Sequence, residues 1–288
     1  MSTNMKIDVY QIVTDRIIEL LEQGTVPWRK PWGSSGIPKN LVSKRAYRGV
    51  NVWLLNSLSY DHNLFLTWEQ LKKIGGSVKK GEKGHVIVFW KTKEQETTEE
   101  QKGDKKPIPI LRYYKVFNID QCVDIPAELL PVEAVEEKDS ITACEAIVLG
   151  MPQCPVIKHQ GKQAFYDIEK DSITMPKKNS FTSIEGYYST LFHELVHSTG
   201  HEKRLNRPGI NKMHEFGSEE YSLEELVAEL GACFLVNETG ILNSEIENSA
   251  AYIQGWLSKL KNDKLLIVHL ASHSQKSVDF ITSVNKIE

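Results

Sequence analysis

The pattern H-E-x-x-H constrains the fold of this 288-residue chain more than any other feature of its sequence. It consists of His193, Glu194 and His197. On an α-helix, residues four apart lie on one face about one turn apart, so both imidazoles can reach the same cation. Glu194 follows the first histidine and can reach a water held by that cation. Zinc hydrolases use this arrangement, in which two neutral histidines bind the metal and a carboxylate acts as general base.

The residues around this motif indicate that its helix is buried. Apolar side chains flank the polar ones, namely Leu191, Phe192, Leu195 and Val196. Histidine and glutamate rarely lie in a buried helix unless they are paired or bound to a metal. We therefore predict a site for one Zn²⁺ ion, with His193 and His197 as ligands and Glu194 as the catalytic residue. The helix is predicted to begin at Ser183 and to end at Gly200.

Two histidines and a water leave one position of a tetrahedral zinc to be filled, and the sequence offers further histidines. His201 lies eight residues after His193, too close for the pattern that places a third histidine ten residues on. His214 lies in a predicted loop and no pattern supports it. Neither histidine is therefore the preferred third ligand.

A later predicted helix offers carboxylates instead. Its sequence, SLEELVAELGACFLV, contains Glu224, Glu225 and Glu229, of which the last two lie four apart on one face. We predict that Glu225 is the third ligand and that Glu229 is the carboxylate that orients a ligand histidine. The alternative is a capping box with Ser222, in which Glu225 only satisfies the N-terminus of its own helix. In that case Glu229 replaces Glu225 as the ligand.

Composition and charge indicate a soluble globular protein with two unlike halves. The chain is 40% apolar and 25% charged, and it has no apolar run of 18 residues, so we expect no membrane span. Four scattered cysteines without a C-x-x-C pattern favour the reducing cytoplasm. Residues 1–125 carry 20 Lys and Arg against 14 Asp and Glu, whereas residues 126–288 carry 15 against 24. A basic half beside an acidic half suggests two domains with different partners.

We predict an α+β fold with two domains. The N-terminal domain covers residues 1–125, a linker with prolines and carboxylates covers 126–139, and the C-terminal domain covers 140–288. In the first domain, the apolar segment Val86–Trp90 is predicted to be a strand that pairs with a second strand at Arg112–Ile119.

Basic residues are interleaved with aromatic ones in the N-terminal half. Residues 27–93 contain 13 Lys and Arg against 3 Asp and Glu. A groove for single-stranded nucleic acid needs this combination, because cations follow the phosphates and aromatic rings stack on unpaired bases. The alternative is a solvated, lysine-rich face whose tryptophans lie in the core. The residues predicted for a DNA surface are Trp28, Arg29, Lys30, Trp32, Lys44, Arg45, Tyr47, Arg48, Lys72, Lys79, Lys80 and Lys83.

Taken together, these motifs resemble those of the ArdC-type antirestriction proteins carried by plasmids and other mobile elements. In the N-terminal half the similar stretches are PWRKPW (27–32), YRGVNVWLL (47–55), LTWEQLKKIGGSVKKGEKG (66–84) and VFNIDQC (116–122). In the C-terminal half they are Phe165-Tyr166-Asp167, Met175-Pro176, YYSTLFHELVHSTGH and EELVAELGA. The resemblance covers nearly the whole chain, and the ordered set of motifs is more specific than H-E-x-x-H alone.

The resemblance implies an N-terminal domain that binds single-stranded DNA and a C-terminal domain of the zincin-like metallopeptidase type. Carried over residue by residue, it implies His193, His197 and Glu225 as ligands of zinc. Glu194 is then the catalytic carboxylate, and the N-terminal aromatic and basic motifs mark the DNA surface.

The function predicted on these grounds is that of a cytoplasmic antirestriction protein that binds single-stranded DNA and hydrolyses peptide bonds through zinc-bound water and Glu194. His201, Tyr187 or Tyr188 could stabilise the oxyanion or contact the substrate, and the sequence does not choose among them. One alternative is a DNA-protection protein whose zinc domain is structural or catalytically vestigial. Another is a peptidase whose basic half recognises an acidic protein. The sequence does not identify a protein substrate.

Overall fold

The structure, a computed structural model, describes residues 8–30, 36–93, 108–130, 139–207, 219–241 and 250–283. The α-helices in these ranges are α1 (Val9–Glu22), α2 (Val50–Asn56), α3 (Trp68–Lys73), α4 (Ser140–Gly150), α5 (Ile184–Thr199), α6 (Glu219–Thr239), α7 (Ala250–Asn262) and α8 (Leu266–Ile281). The strands are β1 (Lys39–Asn40), β2 (Leu64–Thr67), β3 (Ser77–Val78), β4 (His85–Lys93), β5 (Ile108–Asn118), β6 (Cys122–Val123), β7 (Val156–His159), β8 (Phe165–Asp167) and β9 (Ser172–Met175). The predicted α+β class is confirmed. None of the helices in the described ranges has the length and apolar character needed to cross a lipid bilayer.

The N-terminal half contains a four-stranded sheet in the order β1-β2-β5-β4. Strands β4 and β5 pair antiparallel, with Val88 opposite Tyr113, so the predicted pairing of these two segments is confirmed. Strand β4 lies at the edge of the sheet, where its backbone needs other partners. The Asn51 side chain supplies them, because its amide donates to Val88 O at 2.7 Å and accepts from Val88 N at 2.8 Å.

The C-terminal half combines a three-stranded sheet with helices. The strand order is β7-β9-β8, which leaves the buried strand β9 in the middle. Helix α5 begins after Ser183, whose side chain caps its N-terminus, and it ends at Thr199 before Gly200, as predicted. Helices α5 and α6 pack closely, because a Cβ built on Gly231 would lie only 2.8 Å from Val196 Cγ2. In this packing, Glu224 and Glu225 of α6 lie beside the histidines of α5.

The two halves share one hydrophobic core. Trp28 from the N-terminal half packs on Trp256 of α7, with ring centroids 4.5 Å apart. Trp53 stacks on Phe234 of α6, with centroids 5.1 Å apart. Helix α1 also contacts the C-terminal helices, since Thr14 Oγ1 donates to the backbone oxygen between α7 and α8 at 2.8 Å. The predicted domain limits at residues 125 and 140 stay a prediction, and residues 131–138 of the predicted linker lie outside the described residues.

Candidate functional site

The three predicted metal ligands come together between α5 and α6. His193 Nε2 and His197 Nε2 lie 3.0 Å apart. Glu225 Oε2 is 3.4 Å from His193 Nε2, and its Oε1 is 3.5 Å from His197 Nε2. Ligand atoms bound to a tetrahedral zinc ion at about 2.0–2.1 Å stand about 3.3 Å from each other. The three side chains therefore have the spacing that a single divalent cation requires.

The backbone of α6 decides between the two roles considered for Glu225. A capping box needs its serine at the N-cap, outside the first turn of the helix. Helix α6 begins at Glu219, which places Ser222 inside the helix. The capping alternative is therefore excluded, and the Glu225 carboxylate is directed to the two histidines.

The carboxylates around the histidines make this a site that favours positive charge. Burial opposes a charge on His197, but hydrogen bonds to Glu224 and Glu225 outweigh it and raise the pKa of His197 to about 9. Hydrogen bonds from His193 and His197 hold the pKa of Glu225 well below its usual range. A bound divalent cation satisfies the same carboxylates in place of the protons.

Glu224, rather than Glu229, supports a ligand histidine, which corrects the prediction for Glu229. His197 Nδ1 donates to Glu224 Oε1 at 3.3 Å. With its proton on Nδ1, His197 presents the lone pair of Nε2 to the cation site. Burial raises the pKa of Glu224, but hydrogen bonds from His197 and Arg207 outweigh burial and lower it.

A buried arginine that the sequence analysis missed holds Glu224 in place. Arg207 Nε donates to Glu224 Oε2 at 3.0 Å, and Nη2 donates to the other carboxylate oxygen. Its remaining N–H groups bond to Thr199 Oγ1, Ser277 Oγ and Val196 O. All of its donors are thus used, and one side chain ties α5, α6 and α8 together behind the ligands. No pattern around Arg207 in the sequence indicates this role.

Glu229 lies too far along α6 to serve the ligands. Four residues correspond to about 6 Å along a helix axis, so Glu229 lies one turn beyond Glu225. Its Oε1 accepts from Arg29 Nη2 at 2.9 Å and from the Tyr252 hydroxyl. Glu229 therefore belongs to the contact between the two halves of the chain.

The predicted catalytic carboxylate is buried beside strand β8. The backbone N–H of Tyr166 in β8 faces the Glu194 carboxylate and acts to lower its pKa slightly. Burial raises the pKa of Glu194, and the two neighbouring histidines act against this rise. A carboxylate with a raised pKa and close to a cation site has the position and basicity needed to take a proton from water.

The two tyrosines predicted as oxyanion candidates are engaged elsewhere, which contradicts that prediction. The Tyr187 hydroxyl bonds to His159 Nε2 at 2.8 Å. The Tyr188 hydroxyl donates to Glu145, and Lys178 Nζ lies 3.1 Å from the same hydroxyl. Tyr188 and Tyr187 lie five and six residues before His193, so their side chains leave the helix about 140° and 120° away from that of His193.

The remaining histidine candidates do not join the three ligands. His201 is buried after the end of α5, where its Nδ1 accepts from Lys203 N at 3.2 Å. His214 lies outside the described residues.

Two residues predicted for the DNA surface lie in the core, which corrects their assignment. Trp28 is 1% exposed, and its Nε1 donates to the Tyr252 hydroxyl at 2.9 Å. Tyr47 is 9% exposed and packs edge-on against Phe65. Neither ring is accessible to an unpaired base. Trp32 lies outside the described residues.

The basic residues of the predicted DNA surface differ in how they are engaged. Arg29 is directed inward to Glu229. Lys30 is half-buried against Ser59, and burial lowers its pKa. Arg48 is exposed but pairs with Asp279 of α8. The others are exposed: Lys44, Arg45, Lys72, Lys79, Lys80 and Lys83.

Three exposed rings of the β4–β5 hairpin are absent from the predicted DNA surface. Phe89, Trp90 and Tyr114 are 40%, 45% and 38% exposed. The apolar run that contains Phe89 and Trp90 indicates a buried strand when only the sequence is considered. Phe89 and Trp90 are exposed because β4 lies at the edge of the sheet, and Tyr114 lies on the neighbouring strand β5. The sequence alone does not show this strand order.

Two family models match the chain, one in each half. A model described as the N-terminal domain of anti-restriction factor ArdC matches residues 7–117. A model described as a zincin-like metallopeptidase matches residues 150–273. The second match contains all three side chains of the ligand group.

Solved structures of one protein match over nearly the full length. The chain is similar to the metal-free structure of the antirestriction ArdC protein from the R388 plasmid, with 38% identity, a TM-score of 0.75, and coverage of 96% of this chain and 97% of that one. The Mn(II)-bound structure of the same protein matches with 37% identity, a TM-score of 0.75, and coverage of 96% and 98%.

Among curated proteins, the chain is 34% identical to a DNA primase TraC from Escherichia coli over 94% of its own length and 27% of that protein. It spans 20% of a second TraC protein. It is 32% identical to the uncharacterized protein y4eC from Sinorhizobium fredii (strain NBRC 101917 / NGR234), over 95% of this chain and 91% of that one.

Proposed function

Since the chain belongs to the family of ArdC-type antirestriction proteins, we propose that it binds single-stranded DNA through its N-terminal domain and hydrolyses peptide bonds at a divalent metal in its zincin-like C-terminal domain. The observation that carries the proposal is the convergence of His193, His197 and Glu225 beside the buried Glu194. Zinc is the cation that best suits two imidazoles and one carboxylate. The Mn(II)-bound structure of the R388 relative supports a divalent cation in general.

Each residue at the proposed metal site has its own role in the proposed hydrolysis. When bound, the cation supplies Lewis acidity, which polarises a carbonyl and makes water more acidic. Glu194 acts as general base and takes the proton of the attacking water. Glu224 and Arg207 are positioning residues that keep His197 in the tautomer that binds metal.

The geometry next to Glu194 also suits an extended peptide. Strand β8 has β9 on one side only, among the described strands. The backbone N–H of its Tyr166 acts on the pKa of Glu194, so this strand borders the proposed catalytic carboxylate. A substrate chain that lies along this edge would bring a carbonyl close to the base.

The N-terminal half supports binding to single-stranded DNA. Exposed cations remain among the predicted residues, and residues 27–93 carry a net charge of +10 from 13 basic and 3 acidic side chains. A surface of this charge attracts the phosphate backbone and makes binding strongly dependent on salt. The proposal also places the protein in the cytoplasm, in keeping with four unpaired cysteines.

Metal content and one substitution test the catalytic part. We expect about one zinc per chain by elemental analysis of the purified protein. Glu194→Gln should retain this metal and lose hydrolysis of a peptide library, since the amide cannot accept the proton. Glu202→Gln, a change at an exposed position after the helix, is the matched control and should keep both. Hydrolysis that survives Glu194→Gln would refute the proposed base.

A gel-shift experiment tests the DNA part. The chain should bind a single-stranded oligonucleotide more tightly than the corresponding duplex, with an affinity that falls steeply as salt increases. Unchanged DNA protection by Glu194→Gln, together with absent hydrolysis in the unsubstituted protein, would favour the alternative of a zinc domain without catalytic function. Equal binding of an acidic polypeptide would favour the peptidase that recognises acidic proteins.

A further inference from the structure

We propose that the exposed rings of the β4–β5 hairpin, together with the cleft between β4 and α8, are the site where unpaired bases of single-stranded DNA stack. This inference rests on the proposed DNA-binding function and gives it a location. It replaces the buried rings of Trp28 and Tyr47 with Phe89, Trp90 and Tyr114.

The first argument is the arrangement of the rings on the sheet. In the β4–β5 register, Ile87 lies opposite Tyr114 and Phe89 lies opposite Arg112, so these four side chains share one face. That face is covered at Ile87, which packs with Tyr47 in a small core, and it is open at Phe89 and Tyr114. The open end therefore exposes two aromatic rings and a guanidinium group beside each other.

The second argument is that neighbouring rings hold the exposed ones in place. Phe89 and Tyr114 contact each other edge to face, with ring centroids 5.4 Å apart. Trp90, on the opposite face, rests against Tyr10 of α1 with centroids 6.3 Å apart. Rings held in this way lose little side-chain freedom when a base stacks on them, so more of the stacking energy remains for binding.

The third argument is the cleft that begins at Phe89 and Trp90. It has a volume of about 350 Å³, and its other wall is formed by α8 and the start of α2. This volume lies at the lower end of the range of small-molecule sites, about 300–1,000 Å³, which suits a base with its sugar. Leu111 and Val268 give it an apolar floor, as base stacking requires.

The fourth argument is the charge around the rings and the cleft. Arg112 and Lys91 are exposed next to Phe89, and in the described part of the chain neither forms an ion pair. Lys276 adds a third cation on the α8 side of the cleft. The acid that lines the cleft, Asp279, is engaged by Arg48 and by the Gln275 amide. These cations have no acidic partners in the described part of the chain and can pair with phosphates, while the rings beside them can stack on bases.

Single-stranded DNA is the occupant that fits these observations together. In a duplex the base faces are covered by their neighbours, so flat exposed rings gain little from it. An acidic polypeptide could pair with the cations, but its carboxylate side chains offer no aromatic faces to stack on the rings. The basic loop with Lys44 and Arg45 leads into Tyr47, which packs with Ile87 on the face of the hairpin that carries Phe89 and Tyr114, so this loop extends the cationic surface beyond the rings.

Fluorescence anisotropy with a labelled oligo-dT and the full chain tests the site. We expect Phe89→Ala and Tyr114→Ala each to weaken binding about tenfold, because removing one stacked ring commonly costs this much. Phe165→Ala removes a similarly exposed ring from the metal domain and should leave DNA affinity unchanged. Phe89→Trp should restore binding, which separates a lost stacking partner from a disturbed fold.

The outcomes distinguish this inference from the function on which it rests. If the unsubstituted chain binds no oligo-dT, the proposed DNA binding fails, and the site fails with it. If the unsubstituted chain binds while both alanine variants bind equally well with unchanged melting temperature, only the site is wrong. Trp68→Ala tests the alternative that bases stack on another part of the domain, because Trp68 is exposed there beside Lys72. A loss confined to that variant, or displacement of the DNA by poly-glutamate at equal concentration, would also overturn the assignment.

Discussion

Arg29 and Glu229 form an ion pair across the two halves of the chain, with Arg29 Nη2 2.9 Å from Glu229 Oε1. Arg29 also lies over the ring of Tyr252, 3.7 Å from its centroid. Both charged residues were candidates for separate functional sites on sequence grounds, DNA for the arginine and metal for the glutamate. Their contact instead fixes helix α6 against the segment 27–30, so the helix that carries Glu225 is held partly by the N-terminal half.

The first prediction separates the roles of Glu224 and Glu229. Glu224→Gln should weaken zinc affinity about 10- to 100-fold, because the amide no longer holds the His197 imidazole as a carboxylate does. Glu229→Gln, one turn further along the same helix, should leave affinity nearly unchanged and lower stability instead. Competition of each variant with a chelating dye measures both affinities. A larger loss of zinc affinity in Glu229→Gln than in Glu224→Gln would show that Glu229, and not Glu224, supports the metal site.

The second prediction concerns the close approach of α5 and α6. Gly231→Ala introduces a Cβ 2.8 Å from Val196 Cγ2, and this overpacking should cost about 1–3 kcal/mol of unfolding free energy. Because the helices must separate to relieve the contact, zinc affinity should fall as well.

Gly255→Ala is the control for this change. In α7 a Cβ on Gly255 would meet no atom within 4 Å, so alanine should stabilise the helix by up to about 1 kcal/mol. Urea denaturation of the two variants measures both effects. Equal stability of the two variants would contradict the packing argument.

The third prediction tests the core shared by the two halves. Trp28→Ala removes a fully buried ring that packs on Trp53 and Trp256, and it should lower the free energy of unfolding by about 3–5 kcal/mol. Lys80→Ala, at an exposed position, should change it by no more than about 0.5 kcal/mol. We expect Trp28→Ala to shift the unfolding transitions of both halves. Tryptophan fluorescence and the circular dichroism of the helices measure these transitions. A loss confined to one of two separate transitions would show that the halves fold independently.

The fourth prediction is a pH dependence at Asp171, which receives hydrogen bonds from Arg204 and Tyr166. Burial raises the pKa of Asp171, but these bonds outweigh burial and bring it below its ordinary value of 3.8. The carboxylate therefore stabilises the fold fully above that value and stops doing so as pH falls through the lowered pKa. Asp171→Asn should cost about 1–2 kcal/mol at pH 7 and progressively less below pH 4. Urea midpoints between pH 3 and 7 measure this, and a difference that stays constant over the range would contradict it.

Local patterns were enough to predict the helix that bears H-E-x-x-H. The separation of His193 and His197 by four residues is a property of any α-helix, and the signals at Ser183 and Gly200 act on their own backbone. The strand pairing of the hairpin is also local, because β4 and β5 follow each other along the chain. Such features need no knowledge of what packs against them.

Contacts between distant segments could not be read in the same way. Glu224, Glu225 and Glu229 are all plausible ligands on one helix, and the crossing of α6 over α5 at Gly231 decides which of them reaches a histidine. Arg207 contributes from a segment without regular structure, where no periodicity restricts the direction of the side chain.

Burial of the aromatic residues depends on the same long-range contacts. Trp28 and Trp90 both follow apolar or proline-containing stretches beside basic residues, yet one is in the core and the other is exposed. The amino-acid order determined the helix with H-E-x-x-H and the presence of rings among cations, because both follow from residue type and spacing. The packing of α6 on α5 decided which carboxylate contacts His197. The packing of α6, α7 and α8 on the N-terminal half decided which rings face solvent, because a side chain's surroundings depend on every element that covers it.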